Sequence, residues 1–459
     1  MSQPDQSFDF NRRNFLKGSS LAALMTMMGG VELISPAQSS DAASSALRKP
    51  KVKVAVIGLG PWGREILDQL GRLEQADIAA ICDNYPAMLR RSASKAPDAV
   101  QTENYEEILA NKDIKAVIVA TGSHQHKDIV LAALRAGKHV YCEAPLAHTI
   151  EEAREIALAA KANSAVVFQP GLQMRCDPHR RFLLPFIRSG ALGKPIMARA
   201  QWHKKQSWRQ ASPNSDRERA VNWRLQQNTS PGLIGEIGIH ALDQAAWMFN
   251  VMPTAVTGFS STIVWNDGRD VPDTVEALLD FPEGVRMNYH ASLGTSFDEE
   301  YELLYGAEAT VMMRDGKAWM FKEVDAALLG WEVYARKDNF YKETGIALVV
   351  DGSKQRNLSE ATTDDPGNAL PQLYYALEAF LGNCHEISTE VDEFRATYGE
   401  DNEEALAEHL AGVVQAREAK RQAPGYLEGY VATALALKVN EAVTSGKRLE
   451  LRKEWFELT

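Results

Sequence analysis

Val54-Ala-Val-Ile-Gly-Leu-Gly-Pro-Trp-Gly-Arg-Glu-Ile-Leu67 is the stretch that decides the fold. Four apolar residues read as a buried strand. Gly58, Gly60 and Gly63 follow in G-x-G-x-x-G spacing around Pro61 and Trp62, and an amphipathic run opens at Arg64. Each glycine answers a separate need: a tight turn at the strand end, close approach of backbone to a pyrophosphate, and close packing of helix on sheet. The helix N-terminus then offers unpaired N–H groups and a positive dipole end to the phosphates. A second apolar run, Asp77-Ile-Ala-Ala-Ile-Cys-Asp83, ends in a carboxylate 20 residues past Gly63. That is where the acceptor for a ribose 2′-hydroxyl belongs, and a negative charge there favours NAD over NADP. Gly58, Gly60, Pro61, Trp62, Gly63 and Asp83 are therefore the expected cofactor contacts.

Outward from this unit, strands expected at 52–58, 77–82, 115–121, 138–142 and 165–168 alternate with helical runs. That alternation is the pattern of a doubly wound parallel sheet. Thr149-Ile-Glu-Glu152 is a capping box opening a helix to about Ala162. Thr121-Gly-Ser-His124-Gln-His126 lies just past a strand end, beside the crevice where open α/β sheets bind ligands. Thr121 and His126 join the expected nucleotide contacts on that ground.

The second region starts near Gln169. Pro195 to Trp202 reads as a strand leading into Lys204, and the polar run Arg209–Asn228, with Trp223 inside it, reads as a long loop over the site. In Gly232-Leu-Ile-Gly-Glu236-Ile-Gly-Ile-His240-Ala-Leu-Asp243, spacings of four and three put Glu236, His240 and Asp243 on one helical face. A histidine between two carboxylates suits proton transfer near neutral pH. A capped helix start with a satisfied histidine is the structural alternative. Alternating runs at 254–264, 273–281, 285–293, 300–305, 309–313 and 317–321 predict an antiparallel-rich sheet. The tail predicts an amphipathic helix over Leu370–Asn383, an acid-rich solvated surface over 386–408, and an Ala-rich packing helix from Gly429 to near Gly446.

At 459 residues the chain is long enough for two domains, and a net charge of −11 argues against a nucleic-acid partner. The four cysteines show neither C-x-x-C nor ligand spacing, so Cys82 and Cys142 read as small core residues and no disulfide framework is expected. Residues 1–48 read as a targeting segment and linker. Asn11-Arg12-Arg13-Asn14-Phe15-Leu16-Lys17 is a twin-arginine pattern, and the uncharged run Gly18–Val31 is too short to span a bilayer. Ser35-Pro-Ala37 offers a cleavage site. The expected partner is the twin-arginine export machinery, the expected destination the periplasm, and no other stretch is apolar enough to cross a membrane.

His139-Val-Tyr-Cys-Glu143-Ala144-Pro145-Leu, together with the glycine loop, Asp83 and Gly171-x-x-x-Arg175-x-x-Pro178, resembles the Gfo/Idh/MocA family from about Lys51 to at least Phe321. That family consists of NAD(P)-dependent oxidoreductases acting mostly on sugars, inositols and related polyols. The resemblance implies a Rossmann domain over 51–168 and an α/β substrate and oligomerisation domain over 169–459. The latter is built on a large open, mostly antiparallel sheet with C-terminal helices. It implies a carbohydrate substrate, a homo-oligomer, NAD(P) and no required metal, while export to where little free NAD exists calls for a tightly bound cofactor. Glu143 and Pro145 would lie near the nicotinamide, and His240 and Asp243 would meet the substrate, with Glu236 where the family more often has Asp. Arg175, His179, Lys204 and Trp223 are the candidate substrate contacts.

One departure matters. The family's loop usually reads Glu-Lys-Pro, whose lysine assists acid–base chemistry, and Ala144 can neither hold nor deliver a proton. Three functions follow. The first is an NAD-linked sugar or polyol oxidoreductase in which His240 takes the hydroxyl proton and Asp243 orients it. The second is a redox-neutral NAD-dependent hydrolase or lyase, resembling the family's α-N-acetylgalactosaminidases, some of which also carry an apolar residue in place of that lysine. The third is a non-catalytic sugar-binding member.

Overall fold

A computed structural model describes residues 51–328, 337–340, 343–347, 370–399, 402–418 and 423–458. The twin-arginine pattern, its cleavage site and its linker lie outside the described residues.

The first sheet has six parallel strands in the order β3-β2-β1-β4-β5-β6: β1 (Val52–Ile57), β2 (Ala76–Cys82), β3 (Val100–Thr102), β4 (Ala116–Val119), β5 (His139–Cys142) and β6 (Phe168–Pro170). Val54 to Ile57 are buried on both faces, as a parallel strand covered by helices on either side requires. Those helices are α1 (Pro61–Leu70), α2 (Pro86–Ser92), α3 (Tyr105–Ala110), α4 (His126–Arg135) and α5 (Ile150–Lys161). Thr149 caps α5, its hydroxyl accepting from the Glu152 amide at 3.3 Å. Two details differ from the sequence reading. The sixth strand lies at 168–170 and not at 165–168, and β3 was not expected. β3 is three residues long with Val100 and Gln101 exposed, so it carries no apolar signal.

The second sheet has ten strands in the order β14-β15-β13-β12-β11-β7-β10-β9-β8-β16. They are β7 (Pro195–His203), β8 (Ala255–Ser261), β9 (Thr274–Asp280), β10 (Arg286–Ser292), β11 (Glu300–Gly306), β12 (Ala309–Arg314), β13 (Lys317–Lys322), β14 (Lys337–Phe340), β15 (Glu343–Ala347) and β16 (Leu449–Glu450). Only β7 and β10 pair in parallel; every other neighbouring pair is antiparallel. Helices α6 (Pro178–Phe186) and α7 (Ser215–Val221) precede α8 (Ile239–Phe249), and α9 (Gln372–Tyr398), α10 (Glu403–Glu418) and α11 (Tyr426–Ser445) follow the sheet in the chain.

The tail helices do more than the sequence reading expected. Leu373, Leu377, Phe380 and Leu381 of α9 share one core with Val54, Ile66 and Leu70, so a helix distant in sequence completes the first layer. On α11, Tyr430 and Ala434 join the core of the first sheet, while Leu435, Ala436 and Val439 join that of the second. Small residues allow this double contact: a Cβ at Gly429 would lie 2.9 Å from Pro170 Cβ. The acid-rich stretch is a helical surface that still buries Ile387, Phe394, Leu406 and Leu410 against one another. All four cysteines are buried and free. Among the described residues no helix is long and apolar enough to cross a membrane.

Candidate functional site

The glycine turn is built as its spacing requires. Gly58 has φ +96°, and a Cβ there would lie 2.7 Å from the Ala120 carbonyl and the Thr121 amide. A Cβ on Gly63 would lie 1.9 Å from the Gly58 oxygen, so α1 rests directly on the turn. At Gly60 a Cβ meets nothing within 4 Å, which leaves backbone facing open space at the N-terminus of α1. Pro61 occupies the first turn of that helix, where its missing N–H costs nothing. Asp83 stands just past β2, its Oδ2 accepting from the Leu59 amide and its Oδ1 from the Tyr85 amide, each at 2.8 Å. Each oxygen keeps a lone pair for a further donor. Burial raises the Asp83 carboxyl, against those amides and the Arg217 guanidinium. These residues fit a dinucleotide: open backbone for the diphosphate and a placed carboxylate for the ribose.

Beside this turn lie the loops after β4 and β5. The Thr121 hydroxyl is buried with no hydrogen-bond partner among the described residues. His126 behaves differently from the sequence reading. Its ring is spent on the fold, Nδ1 facing the Pro145 carbonyl at 3.0 Å and Nε2 the Thr121 carbonyl at 3.2 Å. Burial pushes it down to about 4, and the neutral ring, with one N–H, donates to one of these two carbonyls between the loops. Glu143 is buried at the end of β5, with Oε1 unpartnered among the described residues. Gly171 makes room for it, since a Cβ there would lie 2.4 Å from Oε2. Burial pushes the Glu143 carboxyl up to about 7, against the pull of the Trp62 side chain, the Ala144 amide and the Arg224 charge. Pro145 follows Ala144 through a cis peptide bond.

The histidine-bearing helix departs from one-face geometry. Ile234–Gly238 forms a π-turn ahead of α8, and its extra residue rotates Glu236 away from the phase of Asp243. Glu236 is buried and directed to the first unit: its Oε1 accepts from Ser123 Oγ at 2.9 Å and Ser230 Oγ at 3.2 Å, and Oε2 lies 3.7 Å from Arg224 Nε. Asp243 does not orient His240 as expected. Both of its oxygens are taken by Arg175, Nε to Oδ2 and Nη2 to Oδ1 at 2.8 Å each, a bidentate pair. Arg175 also lies over the Trp247 ring at 5.3 Å, so it is a structural ion pair before it is a substrate contact. His240 is partly buried and makes no hydrogen bond to a described residue. Burial pushes it down to about 4, with Asp243 opposing and Arg180 assisting. It is therefore neutral at neutral pH, the form that accepts a proton.

Of the remaining candidates, His179 is tied to its own helix cap, Nδ1 lying 3.1 Å from Asp177 Oδ1. Lys204 is exposed and makes no ion pair among the described residues. Trp223 faces the first unit, its ring centroid 5.8 Å from that of His124. Sequence reasoning passed over Ser123, Arg217, Arg224 and Gly171. Gly171 belongs to a motif whose spacing does not show the room it makes for Glu143, and the others sit in polar runs with no periodicity to single them out.

A family profile described as an oxidoreductase family with NAD-binding Rossmann fold (Gfo/Idh/MocA) matches residues 52–170, and that family's C-terminal domain profile matches residues 183–314. The 1,5-anhydro-D-fructose reductase of Ensifer adhaerens is 31% identical over 239 residues, covering 50% of this chain and 68% of that protein. The chain belongs to the Gfo/Idh/MocA family. Within it, an inositol 2-dehydrogenase of Salmonella typhimurium is 26% identical over 201 residues, 43% of this chain and 55% of that protein. The chain thus matches little more than half the length of that relative. A solved levoglucosan dehydrogenase in complex with NADH and L-sorbose superimposes with a TM-score of 0.65 at 20% identity, covering 88% of this chain and 99% of the other. That likeness shows the shared fold.

Proposed function

We propose that the protein is an NAD-linked oxidoreductase of a sugar or polyol, with His240 as its proton carrier. The observation that carries this reading is the 2.9 Å bond from Ser123 to Glu236, which ties the start of the histidine-bearing helix to the loop after β4. His240 thereby lies in the element that faces the tips of the first sheet, where a family cofactor belongs. Asp83 favours NAD over NADP. Nicotinamide, when bound, supplies the hydride acceptor. Neutral His240 takes the hydroxyl proton as the carbinol carbon gives up its hydride, and the carbonyl forms between them. The Arg175–Asp243 pair fixes the helix that carries the base. Replacing His240 by Ala should lower kcat about 10²–10⁴-fold with NADH affinity unchanged. An unaffected rate would remove it from this role.

A second reading is favoured by Ala144 with Glu143 beside it. An oxidation that acidifies a neighbouring C–H, elimination of a leaving group, water addition and return of the hydride would make the enzyme a redox-neutral glycosidase. A panel of aryl glycosides offered without added cofactor separates the two: aryl release selects cleavage, and reduction of bound NAD by free sugars without release selects oxidoreduction. Export by the twin-arginine route, periplasmic residence and assembly through the open sheet face complete the proposal. They rest on the N-terminal sequence pattern and on the family resemblance.

A further inference from the structure

The segment between β7 and the π-turn crosses from the second unit to the first at two places. Arg217 of α7 donates from Nη2 to the Asn84 carbonyl at 2.7 Å and from Nη1 to Asn84 Oδ1 at 3.2 Å, and its guanidinium lies 4.8 Å from the Tyr85 ring centroid. Six residues on, Trp223 packs on the loop after β4. Its ring lies 5.8 Å from His124, and its Cδ2 is 3.1 Å from where a Gly122 Cβ would be. Asn84 and Tyr85 follow β2, while Gly122 and His124 follow β4, and in the sheet β2 and β4 are the two neighbours of β1. A chain touching both loops passes over the end of β1, where the Gly58–Gly63 turn stands. The lengths agree. Two strand spacings are about 9.6 Å, within the reach of the six residues from Arg217 to Trp223.

The segment is also built to hold its shape. Asn222 clasps Gln210 through two hydrogen bonds of 2.7 and 3.0 Å, and Arg209 bridges Glu218 and Asp267. The Asp270 amide donates to the Leu225 carbonyl at 3.1 Å, and Asp270 Oδ1 accepts from the Gln227 amide at 2.7 Å. Arg224 lies over both Trp208 and Trp223, at 5.6 and 5.1 Å.

The geometry points to residues 207–228 as a strap that roofs the dinucleotide site, with Arg217 as the residue that latches it at the adenosine ribose end and so sets how long the nucleotide stays. This rests on the dinucleotide reading above and adds to it a residence mechanism from the second unit. A nucleotide seated on the glycine turn leaves only when Arg217 gives up Asn84 or Trp223 gives up the β4 loop.

The test loads the full chain with NADH, mixes it with excess NAD, and follows the decay of bound NADH fluorescence for wild type and Arg217→Ala. Release should quicken about tenfold or more, the factor set by losing one charged hydrogen-bonded contact. Hydrogen exchange on the wild type gives a second readout that needs no variant. NADH should slow exchange across 215–224 as well as across 58–63. Equal release rates, or protection of the glycine turn without the strap, overturns the strap while leaving the dinucleotide site standing. Protection of neither segment, with no NADH bound, removes the dinucleotide reading and the strap with it.

Discussion

Burial moves Glu143 up to about 7 and His240 down to about 4, so each carries less charge in the folded chain than in the unfolded one. The consequences for pH have opposite signs. The Glu143 carboxyl holds its proton more tightly when folded, so its contribution to stability is present below about 4.5 and lost as pH rises through about 7. Glu143→Gln cannot ionise and should therefore raise the urea midpoint relative to wild type at pH 8, with a much smaller difference at pH 5. An equal shift at both pH values would contradict the burial argument. His240, with His126 and His139, refuses protons that the unfolded chain accepts, so stability falls as pH drops from about 6.5 toward about 4. Over that range His240 stays neutral and remains a base. An acid limb in kcat near 4, absent in His240→Gln, is the expected profile.

The glycine turn separates structural from functional need. Gly63→Ala forces a Cβ onto the Gly58 oxygen and should cost about 1–3 kcal/mol of stability. Gly60→Ala meets no protein atom and keeps a φ of −58°, which alanine accepts. It should change stability by no more than about 0.5 kcal/mol, yet weaken NADH binding, because the added methyl occupies the diphosphate's place. Thermal melts and NADH titration check both, and normal NADH affinity in Gly60→Ala would displace the diphosphate from this turn. This element was legible because three glycines at fixed spacing have a geometric cause that sequence alone exposes. The helix before His240 was not: reading Glu236, His240 and Asp243 as one face assumes 3.6 residues per turn, and the π-turn breaks that count. The short helix α7 was missed although Asn214 caps it, accepting from the Arg217 amide at 3.0 Å, because a polar surface helix carries no apolar stripe.

Across the whole molecule, α11 packs into the cores of both sheets and α9 completes the core of the first, so the division near Gln169 does not confine each core to one stretch of chain. Phe380 is fully buried among residues of the first sheet, its ring centroid 5.7 Å from that of Tyr141. Phe380→Ala should cost about 3–5 kcal/mol and lower the melting temperature of the entire molecule in one transition. Two separated transitions would mean the sheets unfold independently. The tail's helices were readable from their periodicity, but their docking partners were not, since an apolar stripe does not name the surface it meets.

A structure of the NADH complex tests the central claim most directly. The diphosphate should lie on the Gly58–Gly63 turn, the adenosine ribose at Asp83 under Arg217, and the nicotinamide toward His240 with space between them for one sugar ring. A nicotinamide turned away from His240, or a dinucleotide bound elsewhere on the chain, would contradict it.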